Sequence, residues 1–185
     1  MATILTDTAA TALWHDLVRD AERRGGAQLD VELESHLVFL LMRHLRDAQL
    51  GNTIFALDYL RALDEGGAQR SDALRELGDR CLLIAGLYPQ QAQRRRVNLD
   101  YFLELGSRAY AELADASRTL WADLYRRIAR TFARLARVLV EVRRLTQRDS
   151  LDALARHALC LADGDAIARE FPGAIVIGGT GTQLQ

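Results

Sequence analysis

The sequence predicts an all-α protein: a single orthogonal or bundle-like domain of about seven helices over 1–164, followed by a C-terminal extended arm over 165–185. Three observations point there. Apolar residues recur at spacings of three and four through most of the chain, the period of one helix face. Only two prolines, Pro89 and Pro172, punctuate it, and neither interrupts a long periodic run. Ala, Leu, Arg and Glu, all strong helix formers, dominate throughout.

Residues 6–24 open with Thr6 or Thr8 as a cap, and Leu13, Trp14, Leu17, Val18 and Ala21 then make one apolar face. Gly25-Gly26 ends this helix, where a left-handed residue is favoured. Asp30 is placed to cap a second helix, with Glu32 and Glu34 in the first turn, where the dipole favours anions. That helix carries Leu33, Leu37, Val38, Leu40, Leu41 and Leu45; Phe39 and Met42 on its other side predict a helix nearly surrounded by protein. Gly51-Asn52 breaks the chain before a short third helix, Thr53 to about Leu63, closed by Gly66-Gly67. Ser71 is expected to cap the fourth, and Tyr88-Pro89 to stop it, because the residue before proline avoids the helical region. Asn98 caps a fifth, with Phe102, Leu105, Tyr110 and Leu113 on its core side.

Residues 76–113 thus read as two helices joined by a basic bend at 90–96. Small residues mark where helices meet: Gly78, Ala85 and Gly86 before the bend, Gly106 and Ala109 after it. A glycine inside a helix costs roughly 1 kcal/mol relative to alanine, so close helix–helix approach is the expected reason. The longest periodic run is 117–147, with Leu120, Trp121, Leu124, Ile128, Phe132, Leu135, Leu139 and Val142 on one face. Arg126, Arg130, Arg134, Arg137 and Arg144 cluster on the opposite face. This helix is expected to pack against the second, fourth and fifth. Ser150 caps a seventh helix, Leu151 to about Gly164. Beyond it, Ala174-Ile175-Val176-Ile177 has no second strand to pair with and reads as an arm, flexible or partner-bound.

The formal net charge of −1 excludes any argument from bulk charge toward nucleic acid or membrane. The distribution is uneven: residues 118–148 hold nine arginines against Asp123 and Glu141. Met1 to Ala12 lacks the basic and apolar regions of a signal peptide, and the apolar run Leu37–Met42 is too short to span a bilayer. The expectation is a soluble cytoplasmic chain with no membrane partner. Cys81 and Cys160, both in apolar helical surroundings, read as small buried thiols.

No catalytic set is present: no Gly-x-Ser-x-Gly, no Cys–His motif and no HExxH. His36 and His44 are eight positions apart on one helix, about 12 Å along it, so that pair alone cannot grip one ion. Glu32 and His36 stand at i,i+4, but no second Glu-x-x-His completes a carboxylate site. No metal and no cofactor is expected, and each histidine reads as a helix-face or core residue with a local hydrogen bond. Gly178-Gly179-Thr180-Gly181-Thr182 has no following helix to aim its backbone N–H groups at a phosphate.

The candidate binding residues are cationic and aromatic. Arg94, Arg95 and Arg96 form a compact basic bend flanked by Tyr88 and Tyr101. Arg126, Arg130, Arg134 and Arg137 form the stripe on the long helix. Guanidinium groups suit carboxylates and phosphates bidentately, which leaves three readings open. The first is a non-enzymatic interaction or regulatory module, homodimeric or bound to a protein partner. The second is a small-ligand or cofactor-binding protein with its pocket near Tyr88, Arg95 and Tyr101. The third is nucleic-acid binding through the Arg-rich helix. The first leads, on the missing catalytic set, the segregated charge and the apolar arm.

The pattern Gly78-Asp79-x-x-Leu82-x-x-x-Gly86-x-Tyr88-Pro89, then Arg95-Arg96-Val97, then Tyr101-Phe102-x-x-x-Gly106-x-x-Ala109-Tyr110 resembles a family of small helical proteobacterial proteins of uncharacterised activity. Leu37–Leu63 resembles the same group, so the likeness spans about half the chain. It implies a bacterial helical domain and carries no activity to transfer.

Overall fold

A computed structural model describes residues 2–46, 54–117 and 120–148. The Gly51-Asn52 break, the expected helix over 150–164 with Cys160 and His157, and the arm over 165–185 lie outside these residues, as does the side chain of His44. The described residues form seven helices: α1 (Ala2–Gly25), α2 (Val31–Arg46), α3 (Phe55–Asp64), α4 (Gly67–Gly86), α5 (Pro89–Arg94), α6 (Leu99–Ala116) and α7 (Trp121–Arg148). No strand occurs among them, and no helix is long and apolar enough to cross a membrane.

Several boundaries fall where local chemistry puts them. Asp30 accepts from the N–H groups of Glu32 (3.1 Å) and Leu33 (3.0 Å), and Asn98 accepts from Asp100 N–H (3.3 Å). Gly26, at φ +61°, lets Ala27 N–H return to the Glu22 carbonyl (3.0 Å) and end α1. Other expected caps are corrected. Thr6 and Thr8 lie inside α1, and Ser71 lies inside α4, which starts beyond Gly66. The Ser71 hydroxyl donates to the Gly67 carbonyl at 3.4 Å instead.

The basic bend is also corrected, because Pro89 begins a short helix, α5, as well as following the end of α4. A missing N–H is harmless at a first helical position, where no intrahelical partner exists. Arg96 then adopts φ +54° and closes α5, with Arg96 N–H on the Gln93 carbonyl (3.0 Å) and Val97 N–H on the Ala92 carbonyl (3.1 Å).

The small residues explain the packing at the centre. Tyr110 lies against Gly78 and Tyr125, while Gly106 lies against Cys81 and Phe132, so α6 runs antiparallel to both α4 and α7. A Cβ on Gly106 would strike the Phe132 ring, and one on Gly86 would strike Leu139 and the Ala136 carbonyl. Gly78 and Gly106 therefore bring α4 and α6 together as expected, whereas Gly86 admits α7. The long helix packs on α6 and α4 and, less extensively, on α2, the three neighbours expected, and α1 adds a fourth that the periodicity did not indicate. Ile128, Phe132, Leu135, Leu139 and Val142 are buried there with Trp14, Val18, Leu77, Phe102 and Leu113. Cys81 is a free buried thiol, and burial pushes it up to about 12.

Two expectations about faces are overturned. Leu120 and Trp121, placed on the buried face of the long helix, are 98% and 60% exposed. Phe39, expected to be enclosed, is 63% exposed: α2 buries Leu37, Val38, Leu40 and Leu41 and turns Phe39 away from them.

Candidate binding groove and the polar chain beside it

A buried polar chain crosses three helices. The Tyr110 hydroxyl donates to Asp79 Oδ1, and His36 Nε2 stands 3.2 Å from the same hydroxyl oxygen. The single hydroxyl proton is committed to the carboxylate, so the hydroxyl oxygen accepts from His36 Nε2–H. That assignment fixes the imidazole tautomer and leaves Nδ1 as an acceptor. The His36 and Tyr110 rings meet edge to face, with centroids 5.6 Å apart. Arg43 sits 3.8 Å from the other Asp79 oxygen and 2.9 Å from Glu76. Gly78 makes this possible, because the Tyr110 ring lies where a side chain on Gly78 would project.

Burial dominates the electrostatics. It raises the Tyr110 phenol well above its ordinary range, and the neighbouring Asp79 adds to that. It lowers His36 to about 4, with Arg75 adding, although Asp79 at 3.9 Å would favour the charged ring. His36 is therefore a neutral imidazole at pH 7. Nearby, buried Glu34 accepts from Arg19 Nε (2.8 Å) and faces His15 Nδ1 (2.9 Å). Among the described residues, no three His, Cys, Asp or Glu side chains converge as a metal site would need.

His36 also lines an open groove of about 1420 Å³ between α2 and the start of α7. Its apolar surface comes from Val31, Phe39, Leu120 and Trp121, its cations from Arg75, Arg126, Arg127 and Arg130, and its carboxylates from Glu32 and Asp123. Arg127 is held by Asp30 (3.0 Å) and Glu32, and Arg126 by Asp123 (2.6 Å). Arg130 makes no ion pair among the described residues. Four large apolar side chains thus stand exposed beside guanidinium groups on one concave surface. Scattered exposed apolar residues are ordinary, whereas a contiguous set rimmed by charge marks an interaction surface.

The remaining predicted residues are distributed elsewhere. Arg134 and Arg137 line a second cleft, about 900 Å³, with Arg19, Glu22, Arg23 and the Gly25–Leu29 turn. The arginine stripe is therefore divided between two clefts. Toward the other end of α6, Arg95 and Arg80 stack over Phe55 at 5.0 and 4.6 Å, and Phe55 meets Phe102 edge to face. Tyr101 packs on Phe102, Tyr88 is half-buried against the core, and Arg94 and Arg96 stand in solvent. Arg95 and Tyr101 are thus brought together around one aromatic pair, and the bend is not brought to the groove.

Sequence reasoning did not single out Phe39, Leu120 or Trp121 as surface residues. One signal existed for Phe39, which falls opposite the Leu37–Leu41 face on a helical wheel. No family model, curated protein or solved structure matches this chain.

Proposed function

We propose that this protein is a non-enzymatic interaction module whose α2/α7 groove holds an acidic, amphipathic segment of a protein partner. One observation carries the reading: Phe39, Leu120 and Trp121 are exposed on the concave surface that also presents Arg75, Arg126 and Arg130. Apolar anchors supply affinity, and the cations select acidic flanks and speed encounter. Groove-on-groove pairing of two copies is disfavoured, since it would set like charges face to face. Nucleic acid suits the groove less well, because its exposed surface is largely apolar aliphatic and aromatic rather than a phosphate-tracking stripe.

Selection from a displayed random peptide library against the full chain tests this. Enriched peptides should combine Asp or Glu with spaced apolar residues, and they should lose binding on Trp121→Ala and on Arg130→Glu. Enrichment of basic peptides, or of peptides indifferent to both substitutions, would overturn the reading.

A further inference from the structure

We infer that the groove is occupied by the chain's own residues 163–177, docked intramolecularly, so that a partner binds by displacing them. The inference rests on the groove being a site for acidic amphipathic segments. Three observations carry it.

The first is chemical match. Residues 163–177 read Asp-Gly-Asp-Ala-Ile-Ala-Arg-Glu-Phe-Pro-Gly-Ala-Ile-Val-Ile. Asp163, Asp165 and Glu170 outnumber Arg169, and Phe171, Ile175, Val176 and Ile177 follow directly. That matches a surface with Phe39, Leu120 and Trp121 exposed and Arg130 at its edge.

The second is reach. α7 ends at Arg148, and the groove's last α7 residue is Arg130, about 27 Å back along the helix at 1.5 Å per residue. The fifteen residues 149–163 can span about 50 Å at about 3.3 Å each, so the connection is long enough to bring Asp163 and Asp165 to the Arg130 edge with length to spare.

The third is the cations' state. Arg127 is held by Asp30 and Glu32, and Arg126 by Asp123, whereas Arg130 makes no ion pair among the described residues. It stands at the edge where the returning acidic stretch would arrive. A tethered segment acts at an effective concentration in the millimolar range, so even weak docking competes with a free partner.

The experiment uses the full chain with the photo-crosslinking residue p-benzoylphenylalanine in place of Phe39. Irradiation followed by peptide mapping should join position 39 to residues 163–177 within material of monomer mass. Crosslinks to that segment only at dimer mass, or no crosslink to it, would overturn the inference. A second readout is the affinity of groove-binding peptides selected as above. Glu170→Arg combined with Ile175→Asp should tighten their binding by about tenfold, and an unchanged affinity would also overturn it. If selected peptides bind through Trp121 but neither readout responds, the tail inference fails and the groove reading stands. If the crosslink forms and no acidic peptide is enriched, the partner reading fails instead.

Discussion

Tyr110 gives its hydroxyl proton to the buried carboxylate of Asp79 and accepts at the same oxygen from His36. The three residues come from α6, α4 and α2, so this one hydroxyl ties the outer helix to the central pair. A buried carboxylate that loses a donor retains its desolvation cost, on the order of 1–3 kcal/mol. Tyr110→Phe should therefore destabilise the protein by that amount, lowering Tm by several degrees for a chain of this size. Asp79→Asn keeps an acceptor for the phenol but gives up the charge beside Arg43. Denaturant melts of the two single variants and the double variant should show coupling of about 1 kcal/mol. Strict additivity would mean that Tyr110 and Asp79 do not act together.

Acid should act through His36. Its ordinary value is 6.5, and burial with Arg75 lowers it to about 4 in the folded chain. Between those limits the unfolded chain binds a proton that the folded chain does not, so stability falls as pH falls. At 1.36 kcal/mol per unit the whole loss is on the order of 3 kcal/mol, complete near pH 4. The groups facing this ring are Arg75, the Tyr110 hydroxyl and Asp79, with Arg43 behind the carboxylate. His36→Gln removes the titration, and the difference between wild type and variant in unfolding free energy should slope between pH 6.5 and 4 and level off above. A flat difference across that window would show that the imidazole is not held neutral.

Two internal glycines should separate by what stands in the way. An alanine Cβ at Gly86 meets backbone, the Ala136 carbonyl at 3.0 Å, as well as Leu139. At Gly78 it meets only the edge of the Tyr110 ring, at 2.6 Å. Overpacking against fixed atoms costs typically 1–3 kcal/mol, more than the helix-propensity gain of about 1 kcal/mol. Gly86→Ala should lower stability outright. Gly78→Ala should do so by displacing Tyr110, and should therefore weaken the pH dependence carried by His36, an effect Gly86→Ala lacks. Chemical denaturation of both variants at pH 7 and pH 5 checks this.

Much of this framework is legible in the sequence because it is local. Asp30 and Asn98 announce helix starts through their own side chains, and Gly26 ends α1 through its own backbone. Gly78 and Gly106 announce contact, since a glycine in a helix interior needs a reason, though nothing local says which neighbour arrives: Gly86 meets α7 rather than α6. The His36–Tyr110–Asp79 chain joins positions 36, 79 and 110, whose meeting depends on how three helices cross. The groove is hidden for the opposite reason. Leu120 and Trp121 carry the helical period of a core face, and periodicity cannot tell where the neighbouring helix ends and leaves that face uncovered. Ser71 and Pro89 show the same limit at boundaries, where a competent cap was passed over and a helix stop also became a helix start.

The end of α5 offers a stabilising substitution. Arg96 sits at φ +54°, the left-handed region where a β-carbon crowds the following carbonyl at a cost of roughly 1–2 kcal/mol. The surrounding hydrogen bonds, Arg96 N–H to Gln93 and Val97 N–H to Ala92, require that conformation whatever the residue. The side chain stands in solvent, so little packing is lost with it. Glycine relieves the strain but raises the entropy of the unfolded chain, which offsets part of the gain. Arg96→Gly should therefore stabilise the protein by about 0.5–1 kcal/mol, read as a higher denaturant midpoint at unchanged slope. Arg96→Val, β-branched at the same angle, should shift the midpoint the other way. A midpoint that falls for both variants would mean that the Arg96 side chain, rather than its backbone, closes the bend.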